Sequence, residues 1–178
     1  MLDALEPIYN TLYRLISERV GAGLGAFERG FWYKVDCTQN LSLYPYAFLD
    51  QPETSEVKRV KSPAVFGYVV RVPLVVLTYN ADQGALYFNE RNMPNERGAV
   101  EWAYDIAQDI WNTYVGGFPF VPESERHWRV VQWWLGPLQE PRLVKLREFF
   151  QSPYIAGATV SFVFEVVENS PLPVRAGG

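Results

Sequence analysis

The most apolar part of the chain, residues 62–80 (SPAVFGYVVRVPLVVLTYN), divides into two faces when it is taken in steps of two. One face is entirely apolar and consists of Phe66, Tyr68, Val70, Val72, Leu74 and Val76. The other face carries Arg71 and Pro73 among its apolar residues. Because the run is short for a membrane span, contains a charge and is rich in valine, it predicts a strand with that face on the core.

A strand of this length spans roughly 50 Å at about 3.3 Å per residue, which is wider than a domain of this size. We therefore expect it to bend at Gly67 or Pro73, or to project beyond the globule. Because Pro73 has no backbone N–H, we place this part of the strand at a sheet edge. A monomer normally covers such an edge, so a neighbouring subunit is the expected occupant.

Two segments have apolar residues at helical spacing. In the first, 3–20, Asp3 is the expected cap, and the second, 98–115, ends at Gly116 and Gly117. The apolar face of the first helix is Leu5, Ile8, Leu12, Leu15 and Ile16. The apolar face of the second is Val100, Ala103, Tyr104, Ala107, Ile110, Trp111 and Tyr114.

The remaining pattern predicts short strands and their connections. Pro45 favours an edge position for its strand, and Gly21, Gly23 and Gly25 predict a helix stop and loop. These glycines follow a helix, whereas a dinucleotide fingerprint follows a strand and opens a helix. The predicted strands are 31–37, 41–49, 85–90, 127–135 and 157–169, with a short helix at 141–150.

These elements predict an α+β fold, with a mixed, mainly antiparallel sheet packed by two main helices and a long extended β-hairpin. We expect one domain over 1–169, with an aromatic-rich insertion at about 118–150 and a flexible tail at 170–178.

The polar segment 50–63 is predicted to be a long hairpin tip or loop. It carries Glu53, Glu56, Lys58, Arg59 and Lys61. Three interpretations remain open at this point, namely a solvated loop, a contact with a neighbouring subunit and a phosphate site.

Glu101, Asp105 and Asp109 form an acidic ladder at successive i, i+4 positions of the second helix. Like charges at this spacing destabilise a helix by about 0.2–0.5 kcal/mol per pair. The ladder is interpreted as a solvated face, as one half of intersubunit salt bridges, or as a metal site. Together with Arg71 and the five charged residues of 50–63, it forms our candidate oligomer interface.

The net charge of −4 argues against a groove that wraps nucleic acid. Cys37 is the one cysteine of the chain, which excludes an internal disulfide and a multi-cysteine zinc site. His127 is the one histidine, and we expect it at the surface. Because the chain has no serine elbow, P-loop or HExxH motif, we predict no enzyme, no cofactor and no metal.

Aromatic residues are abundant, with 6 Trp, 11 Tyr and 11 Phe. Such amphipathic side chains are enriched at interfaces. Two interpretations apply to the subset Tyr44, Tyr46, Trp128, Trp133 and Trp134. These residues either stack on sugar rings or line an apolar pocket, or they pack in the core and at an interface.

The order of the predicted elements resembles that of the tail terminator (tail completion) proteins of tailed bacteriophages and of related neck and head–tail joining proteins. The segments that carry the resemblance are 3–20, 44–57, 64–79, 98–115 and 157–168, the last within GATVSFVFEVVEN. It is a likeness of pattern over most of the chain and transfers no individual functional residue.

The resemblance implies a virion subunit, made in the host cytoplasm, that forms a ring, usually a hexamer. Its partners would be copies of itself, tail-tube proteins and neck or connector proteins, with DNA passing through the lumen without specific binding and with no membrane. The alternative is a monomeric module that binds a sugar or an apolar ligand on its aromatic residues. An enzyme that uses Asp or Glu pairs is a third hypothesis.

Overall fold

Two helices and a six-stranded sheet make up the described part of the chain. The computed structural model describes residues 3–20, 23–29, 44–62, 65–79, 88, 97–119, 127–139 and 155–169. The helices are α1 (Leu5–Val20) and α2 (Ala99–Tyr114). The strands are β1 (Ala26–Arg29), β2 (Tyr46–Leu49), β3 (Glu53–Ser62), β4 (Val65–Tyr79), β5 (Trp128–Leu135) and β6 (Ile155–Asn169).

The sheet has the order β1-β2-β4-β6-β5, with β3 also paired to β4. Only the β1–β2 pair is parallel among these strand pairs. The predicted α+β class, with its mixed and mainly antiparallel sheet, is therefore confirmed. Several predictions concern segments outside the described residues, namely 31–37, 141–150, 170–178, Cys37 and all of 85–90 except Phe88.

The antiparallel pair β4–β6 forms the centre of the sheet. The pairing runs without a register shift from Val65 opposite Asn169 to Tyr79 opposite Ile155. The predicted apolar face of β4 is confirmed, because Tyr68, Val70 and alternate residues after them are buried in the main core and Phe66 packs against it. The matching face of β6 provides Phe162, Phe164 and Val166 to the same core.

The prediction that β4 lies at a sheet edge is wrong. β6 pairs with one side of β4, while β3 and β2 share the other side. Pro73 lies between these two partners, beyond the pairing of Arg71 with Glu53 and before that of Leu74 with Leu49. At this gap the N–H of Asp50 donates to the carbonyl of Pro73 at 2.9 Å. Pro73 thus accepts one hydrogen bond from Asp50 and, without an N–H, cannot return one, at the point where one partner strand replaces the other.

The prediction of an edge strand around Pro45 is also wrong. β2 lies between β1 and β4, and every residue of it is buried. β1 falls in a segment that was predicted to be a loop. Contacts with α1 hold it in place, since Phe27 stacks on Tyr13 with ring centroids 4.9 Å apart and Arg29 lies 4.5 Å from the same ring. Tertiary packing has overridden a weak local preference here.

Both helices contact the main core that covers one face of the sheet. The predicted face of α1 is confirmed, with Ile8, Leu12, Leu15 and Ile16 buried and Leu5 packed against the core. For α2 the prediction is wrong at Tyr104, which is 54% exposed. The buried stripe of α2 follows Ala99, Ala103, Ile106, Ala107 and Ile110. Tyr104 lies beside this stripe and points away from it.

The opposite face of the sheet has a smaller apolar cluster of Tyr46, Phe48, Val75 and Leu77. All four are residues of β2 and β4. The sheet is thus apolar on both faces where β2 pairs with β4.

The polar segment predicted to be a loop forms β3, so the predicted hairpin is confirmed as the β3–β4 pair. Glu53, Thr54 and Ser55 are all exposed. Because successive strand residues point to opposite faces, three consecutive exposed residues mean that neither face of β3 is covered there. The pairing is irregular at two places, between Ser55 and Lys58 and between Arg59 and Ser62.

Candidate functional site

The acidic ladder on α2 finds its partners within its own chain. Asp109 accepts hydrogen bonds from the guanidinium of Arg19 at 2.6 and 3.0 Å. Asp105 forms an ion pair with Arg97 at 3.1 Å. The carboxylate of Glu101 accepts a hydrogen bond from the N–H of Gly98 at 3.3 Å, at the start of the helix.

The Arg19 pair also shifts the acid–base behaviour of both groups. The hydrogen bonds from Arg19 hold the pKa of the Asp109 carboxyl below its ordinary value, and the same contact raises the pKa of Arg19. Both side chains are well exposed, at 36% and 43%. The pair therefore relieves charge repulsion on α2 without adding much stability.

An open groove of about 500 Å³ lies between the end of α1 and the first turns of α2. The two ion pairs lie in it, and the guanidinium of Arg97 is 5.1 Å from the ring centroid of Trp102. The lining is completed by Glu18 and Ile106. Sequence reasoning missed Arg19, Arg97 and Trp102, because no local spacing links them to the ladder.

The nine residues of the candidate oligomer interface do not form one patch. Glu53, Glu56, Lys58, Arg59 and Lys61 belong to β3. Glu53 lies directly opposite Arg71 of β4. Arg71 alternates with the buried core residues of β4 and so lies on the sheet face away from α2. The three acids of α2 lie on the helical side, so the structure separates the two sets.

Glu168 of β6 is a buried carboxylate that sequence reasoning missed. It is 0% exposed, and it accepts a hydrogen bond from the hydroxyl of Tyr68 at 2.7 Å. Its other oxygen lies 3.5 Å from the N–H of Asp3, just before α1. Burial, and then the hydrogen bond to Glu168, raise the pKa of Tyr68 well above the ordinary tyrosine value.

Glu168 also replaces the predicted helix cap. The first turn of α1 begins at Ala4, whose carbonyl accepts from the N–H of Ile8 at 3.1 Å, and alanine has no side-chain acceptor. Asp3 thus contributes its backbone N–H to the Glu168 carboxyl group, and Glu6 is an acidic residue in the first turn of the helix. The alternation of residues along β6 could have predicted that Glu168 is buried, because Glu168 continues the inward-facing series Phe162, Phe164, Val166.

Two of the candidate stacking tryptophans, Trp128 and Trp133, are core residues, each 7% exposed. The indole N–H of Trp133 donates to the carbonyl of Tyr114 at 3.1 Å, at the end of α2. Its ring centroid lies 4.9 Å from that of Trp111, 5.4 Å from that of Phe118 and 5.7 Å from that of Phe164. This aromatic cluster holds β5 against α2 and β6.

The other members of the stacking set are distributed differently. Tyr46 is fully buried, Tyr44 is half-buried and Trp134 is 37% exposed. Near Trp134 along the chain, Val131 and Leu138 are 52% and 40% exposed. His127 is exposed, as expected, and its carbonyl accepts from the N–H of Asn169 at 2.7 Å.

Among the sheet residues whose burial the structure describes, the exposed large hydrophobic side chains are Val131 and Trp134, both of β5. No strand pairs with the outer edge of β5 within the described residues. Its register against β6 has one irregularity, between Val130 and Gln132, where Val131 is the additional residue. The side chain of Gln132 donates to the carboxylate of Glu165 on the neighbouring strand.

No family model matches the chain, and no curated protein matches it. The described part of the chain contains no group of three or more His, Cys, Asp or Glu side chains arranged to hold a metal ion. Neither α1 nor α2 is long and apolar enough to cross a membrane.

Proposed function

We propose that this protein is a structural subunit of a larger assembly, of the tail terminator or neck type found in tailed phages. Its role is structural and not catalytic, and it acts through contacts between its own copies and with tail-tube or connector proteins. The observation that carries this proposal is that β3 and β5 each have an outer edge to which no other described strand is paired, as does the short strand β1 at the end of the sheet beside β2.

The β3–β4 hairpin is the part best suited to reach a neighbour. Its strand β3 is exposed on both faces at Glu53–Ser55. Extended arms and strand edges add onto neighbouring sheets through main-chain hydrogen bonds. A head-to-tail contact of this kind closes into a ring when the rotation between subunits allows it.

Two of the features first considered no longer support the proposal. β4 is paired on both sides by its own chain, and two acids of the ladder, Asp105 and Asp109, form ion pairs with Arg97 and Arg19. The proposal rests on the hairpin and on the outer edges of β3 and β5 instead. The net charge of −4 remains compatible with a lumen through which DNA passes without binding.

Sedimentation velocity and negative-stain electron microscopy at high micromolar concentration test the proposal, with and without a tail-tube protein. We expect ring-shaped oligomers that disappear when residues 56–61 are replaced by a two-residue turn. Arg14→Gln, at an exposed position on α1, is the control and should leave the rings intact. A protein that stays monomeric at this concentration with the tube protein present would contradict the proposal.

The groove beside Trp102 supports a second candidate function, a monomeric module for a small ligand. Its aromatic ring and two ion pairs are groups that contact sugars and other polar ligands. Titration of a glycan and lipid panel against tryptophan fluorescence, in wild type and Trp102→Phe, tests it. A change that Trp102→Phe abolishes would favour the ligand module, and an unchanged spectrum would count against it.

A further inference from the structure

The backbone of β5 alternates between β6 and the open edge. His127 and Gly136 each form a main-chain hydrogen bond with β6, at 2.7 and 2.8 Å. Counting from these two anchors along the paired residues, Arg129, Gln132 and Trp134 point their backbone groups towards β6. The N–H and C=O groups of Val130, Trp133 and Leu135 consequently point outward.

Val131 shifts the alternation of outward-facing residues along this edge by one position. In a regular strand, outward-facing residues are separated by an even number of positions, but Val130 and Trp133 are three apart because Val131 is additional. The irregularity lies at the middle of Arg129–Trp134. An antiparallel pair of identical strands with its axis between Val131 and Gln132 therefore aligns outward groups with outward groups.

We infer that the outer edge of β5 pairs with β5 of a second copy of this chain, antiparallel, around a two-fold axis between Val131 and Gln132. In this register Val130 lies opposite Trp133 of the second copy, and both present main-chain groups to each other. Arg129 lies opposite Trp134 of the second copy. Without the additional residue, the same axis would place outward groups opposite inward ones.

The side chains match in the same register. Arg129 is paired to Val167 and Trp134 to Val163, so both lie on the sheet face away from the helices. The guanidinium of each copy thus meets the indole of the other, a favourable cation–π arrangement. The two copies of Arg129 are about 16 Å apart, beyond the screening length of about 10 Å at 0.1 M salt. Arg129 is also the single charged residue of β5, so the contact brings no like charges together.

This contact is separate from the proposed ring. A two-fold contact joins copies in pairs and cannot by itself produce a ring, whereas the hairpin contact is head-to-tail. The pairing area is that of one short strand, so we expect association in the micromolar range. Loss of the hairpin should abolish rings and leave dimers. Loss of the β5 contact should abolish dimers and leave rings.

Disulfide trapping between two differently labelled chains tests the register. In a Cys37→Ser background, an Arg129→Cys chain is mixed with a Trp134→Cys chain under mild oxidation. Directly opposite residues in a non-hydrogen-bonded antiparallel pair have Cα atoms about 4.5 Å apart, which a disulfide spans. We expect a cross-linked dimer in the mixture and none in either chain alone, where the two thiols would be about 16 Å apart.

Sedimentation equilibrium of Trp134→Lys provides the second measurement. We expect at least about tenfold weaker dimerisation, because the cation–π contact is lost and a lysine is placed directly opposite Arg129 of the second copy. Tyr104→Lys is the matched control, since Tyr104 is an exposed aromatic on α2, and it should dimerise as wild type does. Circular dichroism shows that each variant is folded. A missing mixed cross-link, equal cross-linking in the unmixed chains, or an unchanged dimerisation constant in Trp134→Lys would overturn the inference.

Discussion

β3 and β5 are two of the three described strands that have an outer edge in this sheet, and they differ in the side chains that they expose. β3 is polar, exposed on both faces near its start and irregular at two places. β5 has Trp128 and Trp133 buried on one face, exposes Trp134 on the other and is irregular at one place. Charges and bulges protect an edge against unwanted pairing, whereas a long apolar edge favours it. The comparison indicates that β5 is the edge for strand pairing and that β3 is an arm.

The two strands also differ in how firmly they are attached. The aromatic cluster around Trp133 ties β5 to α2 and β6. β3 is attached through its ladder to β4, with no covered face at its exposed start. A binding edge gains from rigidity, because less order has to be created on association.

Trp133→Ala tests how firmly β5 is attached, and it should have the largest effect on stability. We expect the free energy of unfolding to fall by about 3–5 kcal/mol, because a buried indole and its contacts with Trp111 and Phe164 are removed. Urea denaturation measures the change. Trp134→Ala, at the next position but exposed, should cost under about 1 kcal/mol. Equal losses at the two positions would show that β5 is not anchored by its inner face.

Tyr68→Phe should have an intermediate effect, at the end of the sheet that bears the hairpin. The change removes the hydrogen bond to buried Glu168, and we expect a loss of about 1–3 kcal/mol in urea denaturation at pH 7. A loss below about 0.5 kcal/mol would contradict a buried, hydrogen-bonded carboxylate. Tyr104→Phe on exposed α2 surface is the control.

The same residue predicts a dependence of stability on alkaline pH. The pKa of Tyr68 is higher in the folded than in the unfolded chain, so its contribution is fully present below about pH 10 and is lost as the pH rises further. In that range the wild type should lose about 1.4 kcal/mol per pH unit from this group, and Tyr68→Phe should lack this component. Urea denaturation at pH 9 and pH 11 measures it, and parallel slopes in the two proteins would count against it.

Thr54→Lys should have the smallest effect. Thr54 is exposed on β3, so we expect a change within about 0.5 kcal/mol and no change in the dimerisation constant. Val131→Lys, the corresponding change at the exposed edge of β5, should weaken dimerisation. Similar effects of the two changes on dimerisation would remove the distinction between the edges.

Residue alternation predicted which face of β4 packs against the main core, and this prediction is confirmed. It did not predict which strands are neighbours, because a period of two specifies a face and leaves the partner open. The expected edge at Pro73 shows the difference. Proline has no N–H to donate to a neighbouring strand, which favours a free edge. In this sheet Pro73 lies instead at the gap between two partner strands, β3 and β2.

The electrostatic part of the candidate site was less predictable. Arg19 and Asp109 are 90 positions apart, so spacing along the sequence gives no sign of their contact. The hexameric ring, the tail partners and the virion location remain predictions from a resemblance of element order. The individual residues do not carry them, and only an assembly measurement tests them.

The carboxylate at the start of α1 comes from residue 168, so the first helix is completed by the last strand. On the ribosome, α1 emerges long before Glu168, and β4 emerges well before its full-length partner β6. β4 can pair with β2 and β3 as soon as it is made, but the side of β4 that pairs with β6 stays open until residues 155–169 have been synthesised. Closure of the core therefore depends on a contact between segments far apart in the chain, and such non-local pairings slow folding.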